Sequence, residues 1–214
     1  MVWLDVLTVS GEQKERFGSK VRPRRELDLS RISSHVRSLI ELVDPEPDRK
    51  GLDGTPLRVA RVFEELFSGY TMESELEVQF EAKSDMVIKP DIDFVSMCEH
   101  HWLRYSGQVE ISYIPDRMVC GQSKLSRLVT KYSRRLTLQE RMCSQVADEL
   151  MEKLKPLGVM VIARGTHACE TDRGIMNSGR YITSAIRGKF SELPVRTESL
   201  LLILIDKLGH NRTA

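Results

Sequence analysis

The sequence has little of several features that mark particular classes of protein. Aromatic residues make up only 6% of its 214 residues, and it contains four cysteines. Its longest apolar run, residues 200–205, is far too short to span a bilayer. The first ten residues lack the basic lead-in and the long apolar run of a secretory signal. We therefore expect a cytoplasmic protein with reduced cysteines and no membrane partner.

The charge balance and the glycine patterns exclude further classes. A formal net charge of +1 gives no overall field that would attract nucleic acid, so no nucleic-acid partner is expected. The glycine-rich patterns of dinucleotide-binding folds and of phosphate-binding loops are both absent. Any bound nucleotide must therefore be held by other means.

What is present is ordinary for a globular chain, with 41% hydrophobic and 29% charged residues. The length suits one domain with appendages. Residues 1–29 are predicted to be an N-terminal arm, either a mobile tail or a partner-binding segment. Residues 30–214 form the predicted domain, with a helical part at 30–83 and a second part at 84–214.

Hydrophobic periodicity predicts helices, then strands, then helices and strands again. Helices are expected at residues 30–43, 55–67 and 123–134, from residue 137, and around 200–208; strands are expected at 86–88, 92–97, 109–113, 159–163 and 180–186. Gly69 is expected to form a left-handed cap after the second helix, and Pro90 to mark an edge or a bend between the first two extended segments. This order favours an α+β fold with an antiparallel sheet over a doubly wound parallel fold.

Two clusters of possible metal ligands lie far apart in the chain. They are Cys-Glu-His-His at residues 98–101 and His-Ala-Cys at residues 167–169. Zinc prefers thiolate and imidazole, and a catalytic zinc site uses three protein ligands and keeps one position open. Cys98 and His101 can reach one ion from a single turn, and Cys169 could be a third ligand supplied by a neighbouring strand. On a strand His167 would share the face of Cys169, where it could move protons beside the metal.

Taken singly, each of these residues is more often a buried cysteine or a hydrogen-bonded histidine than a ligand. The two clusters together favour a metal site. Cys120 and Cys143 each stand alone in a patterned segment, and we predict that both belong to the core. Four cysteines in a chain of this size do not predict a disulfide framework.

A set of basic and polar residues could receive a phosphate. Ser123 and Lys124 open a predicted helix, where free backbone N–H groups and the helix dipole favour an anion. Arg127 follows one turn later, and Arg173 and Arg58 could join them. Each of these side chains could also lie on a solvated face, and only their clustering in space would decide.

Glu140 has two competing interpretations. Residues 137–140 read Thr-Leu-Gln-Glu and fit a capping box, in which the Glu140 carboxylate accepts a hydrogen bond from the Thr137 N–H. The carboxylate could instead accept two hydrogen bonds, from the N1–H and 2-amino groups of a guanine base. The residues alone leave both roles open.

Successive motifs of the chain resemble those of the GTP cyclohydrolase I family. They are residues 98–101, Gly-Gln-Ser-Lys-Leu-Ser-Arg at 121–127, Leu-Gln-Glu-Arg at 138–141, residues 167–169 with Arg-Gly at 173–174, Thr-Ser-Ala at 183–185, and Thr-Pro-Leu-Arg-Val-Ala at 55–60. The resemblance covers roughly residues 30–190 in order. It implies the tunnelling fold, an antiparallel sheet backed by helices. It also implies pentameric rings that pair into a homodecamer, with active sites between subunits.

The resemblance also implies a reaction and its residues. The reaction is the zinc-dependent conversion of GTP to 7,8-dihydroneopterin triphosphate with release of formate, the first step of pterin and folate biosynthesis. The implied zinc ligands are Cys98, His101 and Cys169, and the implied catalytic histidines are His100 and His167. Glu140 matches the carboxylate that holds guanine, so we expect that role to prevail over capping. The other substrate-binding positions implied are Gln139, Ser123, Lys124, Arg127, Arg173 and Arg58.

The chain departs from the family pattern at three places, and three other functions share parts of the pattern. The departures are Glu-Thr-Asp at residues 170–172, Arg104 after the double histidine, and Asn-Ser-Gly-Arg-Tyr at 177–181. They bear on phosphate binding or the substrate form rather than on ring opening.

The alternatives are a metal-dependent GTP hydrolase that stops early, a tunnelling-fold nitrile reductase that uses NADPH, and a non-catalytic subunit. The intact histidine pair argues against the first alternative, and the set of metal ligands argues against the second. The complete set of site residues argues against the third.

Overall fold

The computed structural model describes residues 26–74, 76 and 79–192. Within these residues, the α-helices are α1 (Leu29–Val43), α2 (Thr55–Leu66), α3 (Gln122–Ser133), α4 (Gln139–Leu154) and the short α5 (Ala168–Thr171). Seven strands are β1 (Gln79–Glu81), β2 (Val87–Cys98), β3 (Arg104–Ile114), β4 (Met118–Cys120), β5 (Leu136–Thr137), β6 (Gly158–His167) and β7 (Tyr181–Gly188). The predicted arm and the predicted helix around 200–208 lie almost wholly or wholly outside the described residues. No helix in the described part is long and apolar enough to cross a membrane.

A five-stranded sheet forms the centre, in the order β5-β2-β3-β6-β7. Every neighbouring pair is antiparallel except β2 and β5, which run parallel. Strands β1 and β4 form a separate antiparallel pair. The predicted α+β fold with an antiparallel sheet is therefore confirmed.

The main core lies between this sheet and the helices α3 and α4. It gathers the alternating residues of β3 and the apolar stripe of α4, among them Val109, Ile111, Tyr113, Met142, Val146 and Leu150. Cys120 and Cys143 lie in the same cluster, which confirms their prediction as core residues. Burial raises the pKa of the Cys143 thiol to about 11, so this thiol stays protonated and unreactive at neutral pH.

The two extended segments predicted on either side of Pro90 belong to one strand. Strand β2 is continuous, and its register with β3 shifts between Lys89 and Ile92. Asp91 adopts a φ of 55° at this point. Because proline has no N–H to donate to the ladder, the chain accommodates it with a bulge rather than with a break.

The prediction of Gly69 as a left-handed cap is wrong. Helix α2 ends at Leu66, and Gly69 lies in a buried 3₁₀ turn without a positive φ. A Cβ atom here would meet the backbone oxygen of Lys131 at 2.4 Å and that of Arg134 at 2.8 Å. Glycine is therefore required because two backbones approach closely, and its N–H donates to the Arg134 oxygen at 3.1 Å.

The capping box at Thr137 is also absent. Thr137 belongs to β5, where it pairs with Cys98 of β2, and α4 begins only at Gln139. Leu138 is the N-cap residue, and no side chain caps the helix. The pairing with β2 places Thr137 in the sheet, so Glu140 is left without its predicted capping partner.

Candidate active site

One edge of the sheet carries the candidate site. Cys98 ends β2, His167 ends β6, and Tyr181 begins β7, so the antiparallel order brings all three to the same edge. The N terminus of α4 faces this edge across a cleft of about 270 Å³. The cleft is lined by Cys98, His100, His101, Tyr105, Thr137, Leu138, Gln139, Glu140, His167, Cys169, Glu170 and Tyr181.

A tight turn after β2 presents the first two potential metal ligands. The Trp102 N–H donates to the Cys98 oxygen at 2.9 Å, and the Cys98 N–H donates to the Leu103 oxygen at 2.8 Å. Trp102 adopts a φ of 55°, and its ring contacts Phe63 and Phe67 edge-on at 5.8 and 6.0 Å. These contacts hold the turn against α2.

Cys169 joins this turn from a short helix, not from a strand. The chain leaves the sheet directly after His167, which is the N-cap residue of α5. Potential ligand atoms of Cys98, His101 and Cys169 all lie within 4.8 Å of one another. Burial and the nearby Cys98 thiol raise the pKa of the Cys169 thiol, as expected for two thiols that share a space without a cation.

The spacing of the Cys98 and His101 ligand atoms fits a zinc ion. Zinc ligands at tetrahedral angles, about 2.0 to 2.3 Å from the metal, lie about 3.5 to 3.8 Å apart. The Cys98 Sγ and His101 Nδ1 atoms are 3.7 Å apart. A set of two thiolates and one imidazole is also the chemistry that zinc prefers, and it leaves a fourth position for a further ligand.

His167 is fixed on several sides. Its ring stacks on that of Tyr105, with centroids 4.4 Å apart and planes 8° from parallel. Its Nε2 atom lies 3.0 Å from Oε1 of Gln139. Burial lowers the pKa of His167, although the carboxylates of Glu140 and Glu170 oppose this shift. The neutral imidazole is therefore favoured in the metal-free chain.

Gln139 is buried, and its amide is fully engaged by the protein. Its Nε2 atom donates to the backbone oxygens of Ala163 and Tyr181 at 3.1 and 3.0 Å, and contacts Thr183 Oγ1 at 3.1 Å. Backbone oxygens only accept hydrogen bonds, so the amide nitrogen must face them and Oε1 must face His167. The His167 Nε2 atom therefore carries the proton in this contact.

Glu140 lies in the first turn of α4, with an exposed carboxylate that faces the cleft. Its Oε1 atom accepts a hydrogen bond from the Tyr181 hydroxyl at 2.7 Å. The next residue, Arg141, forms a two-point ion pair with Glu99, which lies between the ligands of the first cluster. This pair joins the turn at residues 98–103 to the N terminus of α4.

The predicted phosphate-binding residues do not line this cleft. Lys124 and Arg127 line a separate small cavity beside Glu73 and Lys131. Ser123 is exposed at the start of α3, and Arg173 is exposed after α5. Arg58 is exposed on α2, and its Nη2 atom donates to Thr55 Oγ1 at 2.9 Å. Within the described part of one chain, none of these five residues lines the cleft that holds Glu140 and His167, although the charge of Arg173 acts on the Cys169 thiol at its edge.

The sequence analysis missed the two tyrosines of the cleft. Tyr105 lies opposite His167 in the register of β3 and β6, which depends on a pairing that sequence does not show. Tyr181 was noted only as a departure from the family pattern. A second departure, Glu170, also lines the cleft, and its carboxylate accepts a hydrogen bond from Asn177 at 3.1 Å.

Fold and site together define an α+β protein with a group of two cysteines and one histidine that could hold a metal ion. Acid–base side chains surround this group at one sheet edge. The sequence model of the family GTP cyclohydrolase I matches residues 32–204. The chain belongs to the GTP cyclohydrolase I family and is an enzyme of that family.

Relatives support this placement over most of the chain. The chain is 44% identical over 183 residues to GTP cyclohydrolase 1 of Carboxydothermus hydrogenoformans, covering 83% of this chain and 95% of the relative. It is 45% identical over 185 residues to GTP cyclohydrolase 1 of Thermobifida fusca, covering 83% and 89%. A solved structure of the archaeosine synthase QueF-Like in the apo form matches at a TM-score of 0.40 and 17% identity. That match covers 49% of this chain and 96% of the other, and it is too weak to inform the site.

Proposed function

We propose that this enzyme converts GTP to 7,8-dihydroneopterin triphosphate and formate. The observation that carries the proposal is the convergence of Cys98, His101 and Cys169 within 4.8 Å, in the same cleft as His167 and Glu140. Hydrolysis at C8 of guanine needs a water nucleophile, a proton donor and a group that holds the base. The cleft contains candidates for all three.

Cys98, His101 and Cys169 are the residues that would hold zinc. When bound there, zinc supplies a Lewis acid and a water nucleophile at neutral pH. The Glu99–Arg141 ion pair would orient the turn that carries two of these ligands.

Glu140 would hold the base, because its exposed carboxylate can accept hydrogen bonds from the N1–H and 2-amino groups of guanine. His167 would protonate N7 as water adds to C8, since C8 is a poor electrophile until N7 carries a proton. The five-membered ring then opens, and a second hydrolysis releases C8 as formate. His100, exposed in the same cleft, would transfer protons during the rearrangement of the ribose.

Gln139 would contribute to the reaction by holding His167 rather than by contacting the substrate. Its amide groups already bond to Ala163, Tyr181 and His167, and its side chain is 1% exposed. Because its Oε1 atom accepts from Nε2 of His167, the Nδ1 atom is left for proton exchange in the cleft.

The triphosphate would be bound with help from a second subunit. Ser123, Lys124, Arg127, Arg173 and Arg58 provide positive charge and donors, yet they do not line the cleft of their own chain. A site between subunits would bring such residues of one chain to the cleft of another. We therefore propose that the chains assemble as two pentameric rings of the tunnelling fold. We also propose that the product enters pterin or folate biosynthesis.

The test is incubation of purified, zinc-loaded protein with GTP, with formate and the fluorescence of the oxidised pterin followed together. Cys169→Ser should lose both products and bound zinc, whereas Cys120→Ser, a change to a core thiol, should keep zinc and activity. Formate without pterin would instead indicate a hydrolase that stops early. Zinc binding without any turnover would favour a non-catalytic subunit.

A further inference from the structure

The hydrogen bond between Tyr181 and Glu140 is not explained by the proposed reaction. The Tyr181 hydroxyl donates to Glu140 Oε1 at 2.7 Å, from the first residue of β7 across the cleft to the first turn of α4. Tyr181 is 45% exposed, so it does not belong to the core. It also ends the segment 177–181, one of the three departures from the family motifs noted in the sequence.

Tyr181 is itself held firmly at this position. Its backbone pairs with Gly165 of β6, and its backbone oxygen accepts from Gln139 Nε2 at 3.0 Å. Its ring lies edge-on to the ring of His167, at 90° and with centroids 5.7 Å apart. The hydroxyl is therefore a fixed donor, while the exposed Glu140 carboxylate has no other hydrogen-bond partner described in the structure. The bond also raises the pKa of Tyr181, so the hydroxyl keeps its proton at neutral pH.

We propose that Tyr181 is a positioning residue that orients the Glu140 carboxylate for guanine, and so contributes to base specificity; this inference rests on the proposed function. An ionised carboxylate offers about four acceptor sites on its two oxygens. Tyr181 occupies one site on Oε1. The second site of Oε1 and those of Oε2 stay available for the two guanine donors.

Orientation matters more for two hydrogen bonds than for one. A carboxylate that rotates freely can still accept one bond from N1–H, but it must be held in one plane to accept from N1–H and the 2-amino group together. Inosine triphosphate has the N1–H group and lacks the 2-amino group. Loss of the Tyr181 hydroxyl should therefore weaken the use of GTP more than that of inosine triphosphate.

The experiment compares wild type and Tyr181→Phe with both nucleotides, using the zinc-loaded protein. Tyr181→Phe keeps the ring against His167 and removes only the donor. We expect KM for GTP to rise about tenfold, as for loss of one hydrogen bond to a charged group, with kcat changed less than about threefold. The preference for GTP over inosine triphosphate in kcat/KM should fall by about the same factor. Tyr181→Met, which also lacks a donor, should give the same fall in preference if Tyr181→Phe proves insoluble.

A control variant and a measurement of the melting temperature separate positioning from a structural role. Tyr113→Phe removes a core hydroxyl that accepts from the Cys120 N–H, and it should leave the nucleotide preference unchanged. If Tyr181→Phe lowers the melting temperature but leaves the nucleotide preference unchanged, the hydroxyl only joins sheet and helix, and the inference is overturned. A lower KM for GTP in Tyr181→Phe would overturn it as well. Failure of the wild type to turn over GTP would instead overturn the proposed function, whatever the variants do.

Discussion

Single residues at the cleft act through their neighbours, and Gln139 is the clearest case. Its amide contacts two backbone oxygens, the Thr183 hydroxyl and His167, so Gln139→Leu removes four contacts at once. Unpaired buried oxygens typically cost about 1–3 kcal/mol each, so the free energy of unfolding should fall by about 2–4 kcal/mol. We expect kcat to fall at least tenfold with little change in KM, measured by steady-state kinetics below the melting temperature.

The His167→Ala background provides the control for this prediction. If Gln139 acts through His167, Gln139→Leu should add no further loss of kcat to His167→Ala, while the loss of stability persists. Independent losses of kcat that multiply in the double variant would contradict the assignment.

Chemistry-bearing residues were the part of the site that sequence could predict. Cysteine and histidine at residues 98–101 and 167–169 predicted a three-ligand group, and the structure brings Cys98, His101 and Cys169 together. The hydrogen-bond partners of Gln139 could not be predicted, because the three oxygens that accept from its amide lie on β6 and β7, 24 to 44 residues away. A glutamine in a helical pattern gives no sign of such contacts.

Between elements, the ion pair of Glu99 and Arg141 joins the turn at residues 98–103 to α4. Both side chains are partly buried, and two hydrogen bonds connect them. Arg141→Met keeps the length of the side chain and removes its charge. Loss of such outer contacts typically weakens metal binding by about 10 to 100-fold. We expect zinc affinity, measured by competition with a chelator, to fall by about tenfold.

Arg134→Met is the matched control for Arg141→Met. Arg134 pairs with Glu65 at 3.2 Å, away from the cleft, and its loss should leave zinc affinity unchanged. Equal zinc affinity in Arg141→Met and wild type would show that the turn is held without this pair. In that case, the contacts of Trp102 with Phe63 and Phe67 would be sufficient.

Elements with strong periodicity were predicted, and those set by distant pairing were not. The alternation of Val109, Ile111 and Tyr113 identified β3, and the stripe of α4 was equally clear. Thr137 was assigned to the helix because its local sequence fits a cap. Its pairing with Cys98, which is 39 positions earlier, overrides that local preference. Cys169 was predicted to lie on a strand because no local signal in the sequence marks the end of β6.

For the molecule as a whole, a buried ion pair makes stability depend on pH. Lys131 of α3 donates to Glu149 of α4 at 2.6 Å, and the Tyr132 hydroxyl donates to the same oxygen. Burial alone would raise the pKa of Glu149, but the interactions with Lys131, Ser74 and Tyr132 together outweigh it and hold the pKa below its ordinary value. The stabilisation is therefore present above the unfolded pKa, about 4.3, and is lost as pH falls through the folded pKa.

Glu149→Gln should remove this stabilisation at neutral pH. Because it leaves Lys131 buried without its charged partner, the free energy of unfolding should fall by about 3 kcal/mol at pH 7. The difference from wild type, measured by urea unfolding at one protein concentration, should shrink as pH falls below about 4. Glu152→Gln, a change to an exposed residue of the same helix, should leave the curve unchanged. A difference that is constant with pH would contradict the ionic origin.

At the scale of the whole assembly, the exposed surface of α1 indicates an interface between chains. This helix buries none of its side chains, and Leu39, Leu42 and Val43 are 59%, 81% and 79% exposed in the single chain. An amphipathic helix that leaves a run of apolar residues in water has the character of an interface, and the proposed rings supply a second copy to cover it. Leu42→Glu adds a charge to this surface without disturbing the core.

We expect Leu42→Glu to abolish the large species in sedimentation velocity while the far-ultraviolet circular dichroism of the folded chain is retained. GTP turnover should fall in parallel, because the cleft of one chain would lose the phosphate-binding residues of its neighbour. Ser34→Glu adds the same charge at another exposed position of α1 and should keep assembly and activity. A dissociated but fully active Leu42→Glu would show that one chain binds the triphosphate alone. Arg173, four residues after Cys169, would then have to reach the cleft of its own subunit.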